Sequence, residues 1–318
     1  MALGNHSTIT QFLLLGLSAD PHIQSVLFVL FLDIYLLTIM GNLTILLVIR
    51  ADSHLHVPMY FFLSHLSFLD LCLSSVTVPK MLKDLLSEIK AISVRDCLAQ
   101  GFSIFITAGT EGFLLSVMAY DRYAAICHPL LYEQMVRKQL CLQLVWGSWS
   151  LGFLNALINI LPASNLDFCE NHTISHYSCE IPSLFPLSCS DVSTNLLVLL
   201  CSTLLHGLGT LLPIISSYAR IVSTILSISS TSGRSKAFST CSSHLTAVSF
   251  FYGSGFLRYL MPTSASSLEL IFSVQYSVVT PMVNPLIYSL KNKQVKAAMR
   301  RTLGKYLPCS SWKSKAKG

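Results

Sequence analysis

Charged residues are few in this chain: Asp, Glu, Lys and Arg make up 11% of 318 residues, against 52% hydrophobic ones. That shortage excludes a disordered chain, which needs charge and little apolar surface to stay extended. It also excludes an ordinary water-soluble globule, whose surface could not be covered by so few polar groups. Recognisable reaction chemistry is missing as well. There is no His-Glu-x-x-His, no Gly-x-Ser-x-Gly and no phosphate loop, so no enzyme is expected. No internal repeat suggests the two related halves of a secondary transporter. A channel would have to oligomerise around a pore, with only Asp33, Asp70 and Glu111 to line it. The first 24 residues lack a basic flank, and their apolar run, 12–17, is short. No signal peptide is therefore expected, and the first span would serve as the insertion signal.

What is present in quantity is apolar sequence, with a mean hydropathy of +0.60. A hydrocarbon core of ~30 Å takes roughly 20 helical residues to cross. Seven stretches are long enough. Residues 140–166, 192–219, 237–257 and 270–290 contain no charged side chain, while 23–49, 53–79 and 97–120 carry one acid each, Asp33, Asp70 and Glu111. The expected fold class is an all-α membrane protein, a seven-transmembrane helix bundle. Its expected division is an extracellular segment 1–24, a receptor domain 25–290 and a cytoplasmic basic tail 291–318.

Orientation follows from the basic residues between spans. The segments on the side of the C-terminus hold sixteen Lys and Arg, nine of them from Lys291 onward; the opposite side holds five, Lys80, Lys83, Lys90, Arg95 and Arg258. The N-terminus is expected outside and the tail cytoplasmic, in a multi-pass protein of the plasma membrane. A net charge of +6 concentrated in a tail suits anionic membrane lipid better than nucleic acid, and no nucleic-acid partner is expected.

The sequons agree with this parity. Asn5-His6-Ser7 and Asn171-His172-Thr173 both fall outside, where glycosylation is available, whereas Asn42-Leu43-Thr44 lies within the first span and should stay bare. Cys97, Cys169, Cys179 and Cys189 also fall on the oxidising side. Four cysteines allow three pairings, any of which would restrain the long loop 161–194. Cys72, Cys127, Cys141, Cys201, Cys241 and Cys309 read as small buried hydrophobes, with Cys309 a palmitoylation candidate. In the tail, Val295, Ala298, Met299 and Leu303 recur at helical spacing among Lys293, Lys296, Arg300 and Arg301. That pattern predicts a short amphipathic helix on the membrane surface.

Five motifs stand in order at the span ends: Leu55-His56-Val57-Pro58-Met59-Tyr60, Met118-Ala119-Tyr120-Asp121-Arg122-Tyr123-Ala124-Ala125-Ile126-Cys127-His128-Pro129-Leu130, Ser217-Tyr218, Lys236-Ala237-Phe238-Ser239-Thr240-Cys241-Ser242-Ser243-His244-Leu245, and Pro281-Met282-Val283-Asn284-Pro285-Leu286-Ile287-Tyr288. Together they make the chain resemble, over nearly its whole length, the olfactory receptors, a family of rhodopsin-like G-protein-coupled receptors. The resemblance implies odorant binding and activation of a heterotrimeric stimulatory G protein, raising cyclic AMP through adenylate cyclase.

For the coupling machinery, the resemblance implies that Arg122, flanked by Asp121 and Tyr123, is released on activation to meet the G-protein α subunit. It also implies that the hydroxyls of Tyr218 and Tyr288 rearrange near that arginine. Pro285 removes a helix donor and is expected to kink the seventh span. Asp70 matches the second-helix acid of a sodium pocket, with Asn284 beside it and Glu111 expected to join them. Two carboxylates buried together would hold a cation or share a proton. The resemblance further implies the disulfide Cys97–Cys179 and, as a second pair, Cys169–Cys189.

Ligand recognition rests on helical phase and family likeness. The expected pocket draws on Ile104, Phe105, Ala108 and Gly109, on Ser202, Thr203 and His206, and on Tyr252, Phe256 and Tyr259. This is an apolar cavity with hydroxyls and one imidazole, suited to small neutral volatiles. The position seven residues after Cys97 is Ile104, so the acid that holds cationic amines in amine receptors is absent there. No lysine in the seventh span means no retinal Schiff base. The segment His176 to Glu180 has ligand types that suit copper, but the implied commitment of Cys179 removes its thiolate. No metal cofactor is expected beyond a possible sodium ion, and His176 is the weak alternative. Moving a population from 1:99 to 99:1 needs about 5.5 kcal/mol of differential affinity, from about 8.2 for a micromolar ligand. Modest potency and measurable basal signalling are therefore expected.

Overall fold

A computed structural model describes residues 9–168, 172–260, 267–290 and 292–306, apart from the side chains of 236, 240, 256–260, 267, 289, 290, 293 and 303–306. In chain order the elements are β1 (Gln11–Leu14), α1 (Pro21–Ala51), α2 (Pro58–Leu85), β2 (Ala91–Ser93), α3 (Val94–Cys127), the short α4 (Tyr132–Met135), α5 (Lys138–Ala163), β3 (Thr173–Ile174), the short α6 (Ile181–Leu184), α7 (Ser193–Ser227), α8 (Thr231–Leu260), α9 (Ser267–Val274), α10 (Thr280–Leu290) and α11 (Lys293–Tyr306).

The seven expected spans correspond to α1, α2, α3, α5, α7, α8 and the α9–α10 segment. By length and composition, 6 of these are apolar enough to cross a membrane. α8 falls short because polar and small residues, among them Ser239, Ser242, Ser243, His244, Ser249 and Ser254, are interspersed along it. The second helix begins later than hydropathy suggested. Residues 53–55 form a 3-10 turn, and Pro58 opens α2 at a position whose N–H no helix would use. At the start of α1 the Asp20 carboxylate accepts the backbone N–H groups of His22 and Ile23, at 2.8 and 3.4 Å.

Exposed apolar side chains form the outer coat, among them Val26, Met40, Leu47, Trp146, Leu205 and Leu226, each at least 64% accessible. In water such a coat would be unstable, and in lipid it is the expected surface. Inside, small residues let backbones approach. A Cβ on Gly152 of α5 would lie 2.7 Å from the backbone nitrogen of Thr110 in α3, and one on Gly41 of α1 would lie 3.0 Å from Pro285.

In the seventh span the discontinuity expected at Pro285 lies earlier. A wide π turn occupies Gln275–Val279, with the Thr280 hydroxyl bonded to the Gln275 carbonyl at 3.0 Å, while α10 runs on through Pro285. Such a turn leaves backbone groups outside the regular ladder.

Not foreseen from the sequence is a three-stranded sheet capping one end of the bundle. β1 pairs antiparallel with β2, Phe12 opposite Ile92, and parallel with β3, Leu13 opposite Thr173. Beneath it Phe12, Leu14, Ile92, Ile174 and the Cys97–Cys179 disulfide form a separate small core. Cys189 is also disulfide-bonded; its expected partner Cys169, the sequon residues Asn5 and Asn171, and Cys309 lie outside the described residues. Asn42 is buried, donating its amide to the carbonyls of Thr38 and Pro281 at 3.0 and 2.9 Å. Of the cysteines read as buried, Cys141 and Cys241 are so, Cys72 and Cys127 are half-buried, and Cys201 is exposed, because it lies on the outward face of α7.

The tail helix α11 forms as predicted. Val295 and Ala298 are buried against the bundle, and Asn292 caps its first turn, accepting from the N–H groups of Gln294 and Val295. Arg301 reaches Asp52 at 2.7 Å. Hydrogen bonds from His54, reinforced by Arg301, hold the Asp52 carboxyl down to about 2.

Candidate functional site

Between α3, α5, α7, α8 and the seventh span lies a cavity of about 130 Å³. For scale, an engineered cavity of about 150 Å³ accommodates benzene. Seven expected residues line it: Ile104, Phe105, Ala108, Gly109, Thr203, His206 and Tyr252. Ser202 does not. Its hydroxyl donates to Asn159 at 3.1 Å, which turns it toward α5. The side chains of Phe256 and Tyr259 lie outside the described residues.

The sequence reading missed several lining residues: Asn155, Glu180, Phe251, Phe272, Ser273, Tyr276 and Ser277. Ser273, Tyr276 and Ser277 form an i, i+3, i+4 polar stripe on an apolar helix, a signal that was available. Glu180 was harder to find, since it reaches the cavity only because the neighbouring Cys179 is tied to Cys97 on α3. The third-helix position thus lacks an acid, as expected, but the loop supplies one. Ser273 donates to the Glu180 carboxylate, and His176 Nε2 stands 3.8 Å away. Tyr177 closes this rim with hydrogen bonds to Ser273 and Ser277, at 2.9 and 2.7 Å. Burial and the Glu180 charge push the Tyr177 hydroxyl up, so it remains protonated. His176 is stacked on Tyr177 and bonded to Ser178; among the described residues no cluster of three or more His, Cys, Asp or Glu could hold a metal.

Deeper in the bundle, Asp70 and Glu111 are both buried, 2% and 4% accessible, and close enough to interact electrostatically. The Asn284 amide donates to both Asp70 oxygens at 3.1 and 3.2 Å, and Tyr276 donates to Glu111 at 3.2 Å. Asn284 Oδ1 is buried with no hydrogen-bond partner among the described residues. Two carboxylates and a bare amide oxygen form an oxygen-only donor set, the kind that hard cations take. Asp33, by contrast, is exposed on α1.

At the opposite end from the sheet, Arg122 is 7% accessible and lies 3.3 Å from Asp121. Asp121 also accepts from the Tyr132 hydroxyl at 2.6 Å. Burial and the Asp121 charge push that hydroxyl up, keeping it a donor. Tyr123 bonds His128 at 2.9 Å. Tyr218 and Tyr288 both lie within reach of the Arg122 charge. Tyr218 bonds His244 Nδ1 at 2.9 Å, and the other His244 nitrogen, Nε2, meets the Leu115 carbonyl at 2.9 Å. A carbonyl only accepts, so Nε2 carries the proton and Nδ1 accepts from tyrosine. The Tyr288 hydroxyl is buried without a partner among the described residues. His244 was missed as a member of this cluster, although it lies at the end of the motif that opens the sixth span.

The comparisons decide what this bundle is. A sequence profile of the family described as "Olfactory receptor" matches residues 31–305. The chain belongs to the olfactory receptor family. It is 71% identical to human Olfactory receptor 8S1 over 308 residues, covering 97% of this chain and 86% of that protein. It is 49% identical to human Olfactory receptor 5A2, over 95% of this chain and 94% of that one. Identity to mouse Olfactory receptor 5G9 is 48%, over 96% and 98%. This olfactory receptor is therefore a multi-pass G-protein-coupled membrane receptor for odorants and not an enzyme.

Proposed function

We propose that this receptor binds small neutral odorants in the cavity between α3, α7 and α8 and signals through a stimulatory G protein to adenylate cyclase. Its N-terminus and the capping sheet face outside, and the Arg122 end faces the cytoplasm. The observation that carries the reading is the pairing of an apolar, ring-sized cavity with a buried arginine held by Asp121 at the other end of the same helix. Occupying the cavity shifts α8 against α3, and the Tyr218–His244–Leu115 bridge spans those helices with α7. Breaking that bridge and the Asp121 pairing frees Arg122 for the G protein.

Asp70, Glu111 and Asn284 would hold a sodium ion or share one proton, stabilising the resting arrangement from the middle of the bundle. Tyr288, with its hydroxyl unpaired, has a bond to gain in the other state. Asn5 and Asn171 are the proposed glycosylation sites, Cys169–Cys189 the second disulfide, and α11 lies on anionic inner-leaflet lipid. The test is odorant-evoked cyclic AMP in cells bearing the intact receptor. Arg122→Ala should abolish the response while surface expression persists; a full response in that variant, or an odorant-evoked current without any G protein, would refute the reading.

A further inference from the structure

The polar groups around the cavity are not equivalent. Tyr252 donates to Thr210 at 2.7 Å, Ser254 to the Phe250 carbonyl at 2.7 Å, Ser277 to the Ser273 carbonyl at 2.9 Å, and Tyr276 to Glu111. His206 differs from them. Both its ring nitrogens are buried, and neither has a hydrogen-bond partner among the described residues. The ring is nonetheless held firmly, edge to face with Phe113 at 4.9 Å. It fits only because residue 112 is glycine, since a Cβ there would lie 2.7 Å from Nε2.

A buried polar group without a partner is costly, and the cost is recovered when a ligand supplies one. We propose that His206 is the polar anchor of the cavity and that it selects neutral odorants bearing a hydroxyl group. This rests on the odorant-receptor reading and adds the chemistry of the ligand. A neutral imidazole offers one donor and one acceptor. A hydroxyl serves either of them, so it is satisfied whichever tautomer faces it; a ketone or ether satisfies only the N–H. Carboxylate ligands are disfavoured, because among the described residues no Lys or Arg lines the cavity and the charged side chain that does is Glu180.

The test uses purified full-length receptor in lipid nanodiscs and three ring-sized probes: cyclohexanol, cyclohexanone and methylcyclohexane. The readout is the probe concentration giving half the maximal thermal stabilisation. Wild type should take cyclohexanol at about tenfold lower concentration than methylcyclohexane, with cyclohexanone between them. His206→Phe should collapse that spread to about twofold or less, and Gly112→Ala should do the same by displacing the ring. Leu205→Ala, on the lipid-facing side of α7, should keep it. Comparing ratios between variants cancels probe partitioning into lipid. Should His206→Phe fail to fold, Gly112→Ala decides alone. A spread that survives in the ring-displaced variants, or a wild type that takes all three probes equally or not at all, overturns the proposal. Discrimination by wild type without any cyclic AMP response would leave the hydroxyl site standing and refute the signalling reading.

Discussion

Two histidines on neighbouring helices are both buried, and they do opposite things. His244, in the half of α8 nearer Arg122, has both ring nitrogens bonded, to Tyr218 and to the Leu115 carbonyl. His206 on α7, in the cavity half of the bundle, has neither bonded among the described residues. The contrast extends to their surroundings. Around His244 a bonded bridge joins α3, α7 and α8, and at the same end of the bundle Arg122, Asp121 and Tyr132 are bonded in series. Around His206 there is a cavity. The His244 ring spends its hydrogen-bond capacity internally, and the His206 ring leaves its own open beside a cavity. A protein that signals by changing populations needs both, because a ligand shifts an equilibrium only by its differential affinity for the two states.

This division can be attacked from either side. The largest effect should come from the α3–α5 crossing beneath the cavity. Gly152→Val would place its Cβ 2.3 Å from the Thr110 hydroxyl, and overpacking of this kind costs about 1–3 kcal/mol or more. Little receptor should reach the cell surface, as counted by antibody labelling; normal surface levels would mean that the crossing tolerates separation.

Next comes the inner bridge. His244→Phe leaves the Tyr218 hydroxyl and the Leu115 carbonyl without their partner, each worth about 1–3 kcal/mol. Basal cyclic AMP per surface receptor should rise about tenfold if the bridge holds the resting state. An unchanged basal level would reduce the bridge to simple packing. Tyr132→Phe removes one of two contacts to Asp121 and leaves the arginine pairing. A smaller rise, about threefold, is expected in the same assay, on the basis that one hydrogen bond to a charged group is lost.

The smallest effect concerns the junction of α11 with the bundle. Asp52 is held at about 2 by His54 and Arg301. A carboxyl whose folded value is depressed stabilises above its unfolded value of 3.8 and loses that contribution as pH falls toward 2. Asp52→Asn should therefore speed amide exchange in residues 292–306 at neutral pH, and acidification through that window should do so in the wild type. Equal exchange in both proteins would show that Val295 and Ala298 hold the helix unaided.

Much of this was legible in one dimension, and the reasons differ by residue. Span number and rough position follow from apolar length, which the bilayer imposes on any sequence. The seven expected residues that line the cavity came from helical phase and family likeness on α3, α7 and α8. Ser202 failed because phase gives a direction and not a partner; Asn159 of the adjacent helix claimed its hydroxyl. The start of α2 was misplaced because hydropathy ignores proline chemistry. The N-terminal strand was unreadable, since its four residues gain order only by pairing with segments about 80 and 160 positions away. Glu180 likewise entered the cavity through a disulfide, a long-range constraint.

The sequence alone determined the medium, the number of helices and the polar residues obliged to sit within them, because each of these depends on local composition measured against a fixed lipid thickness. Tertiary structure decided which of those polar groups found partners. Pairing is a property of two helices at a fixed spacing, set here by glycines 109, 112 and 152, and nothing local to His206 or His244 tells the anchored ring from the open one.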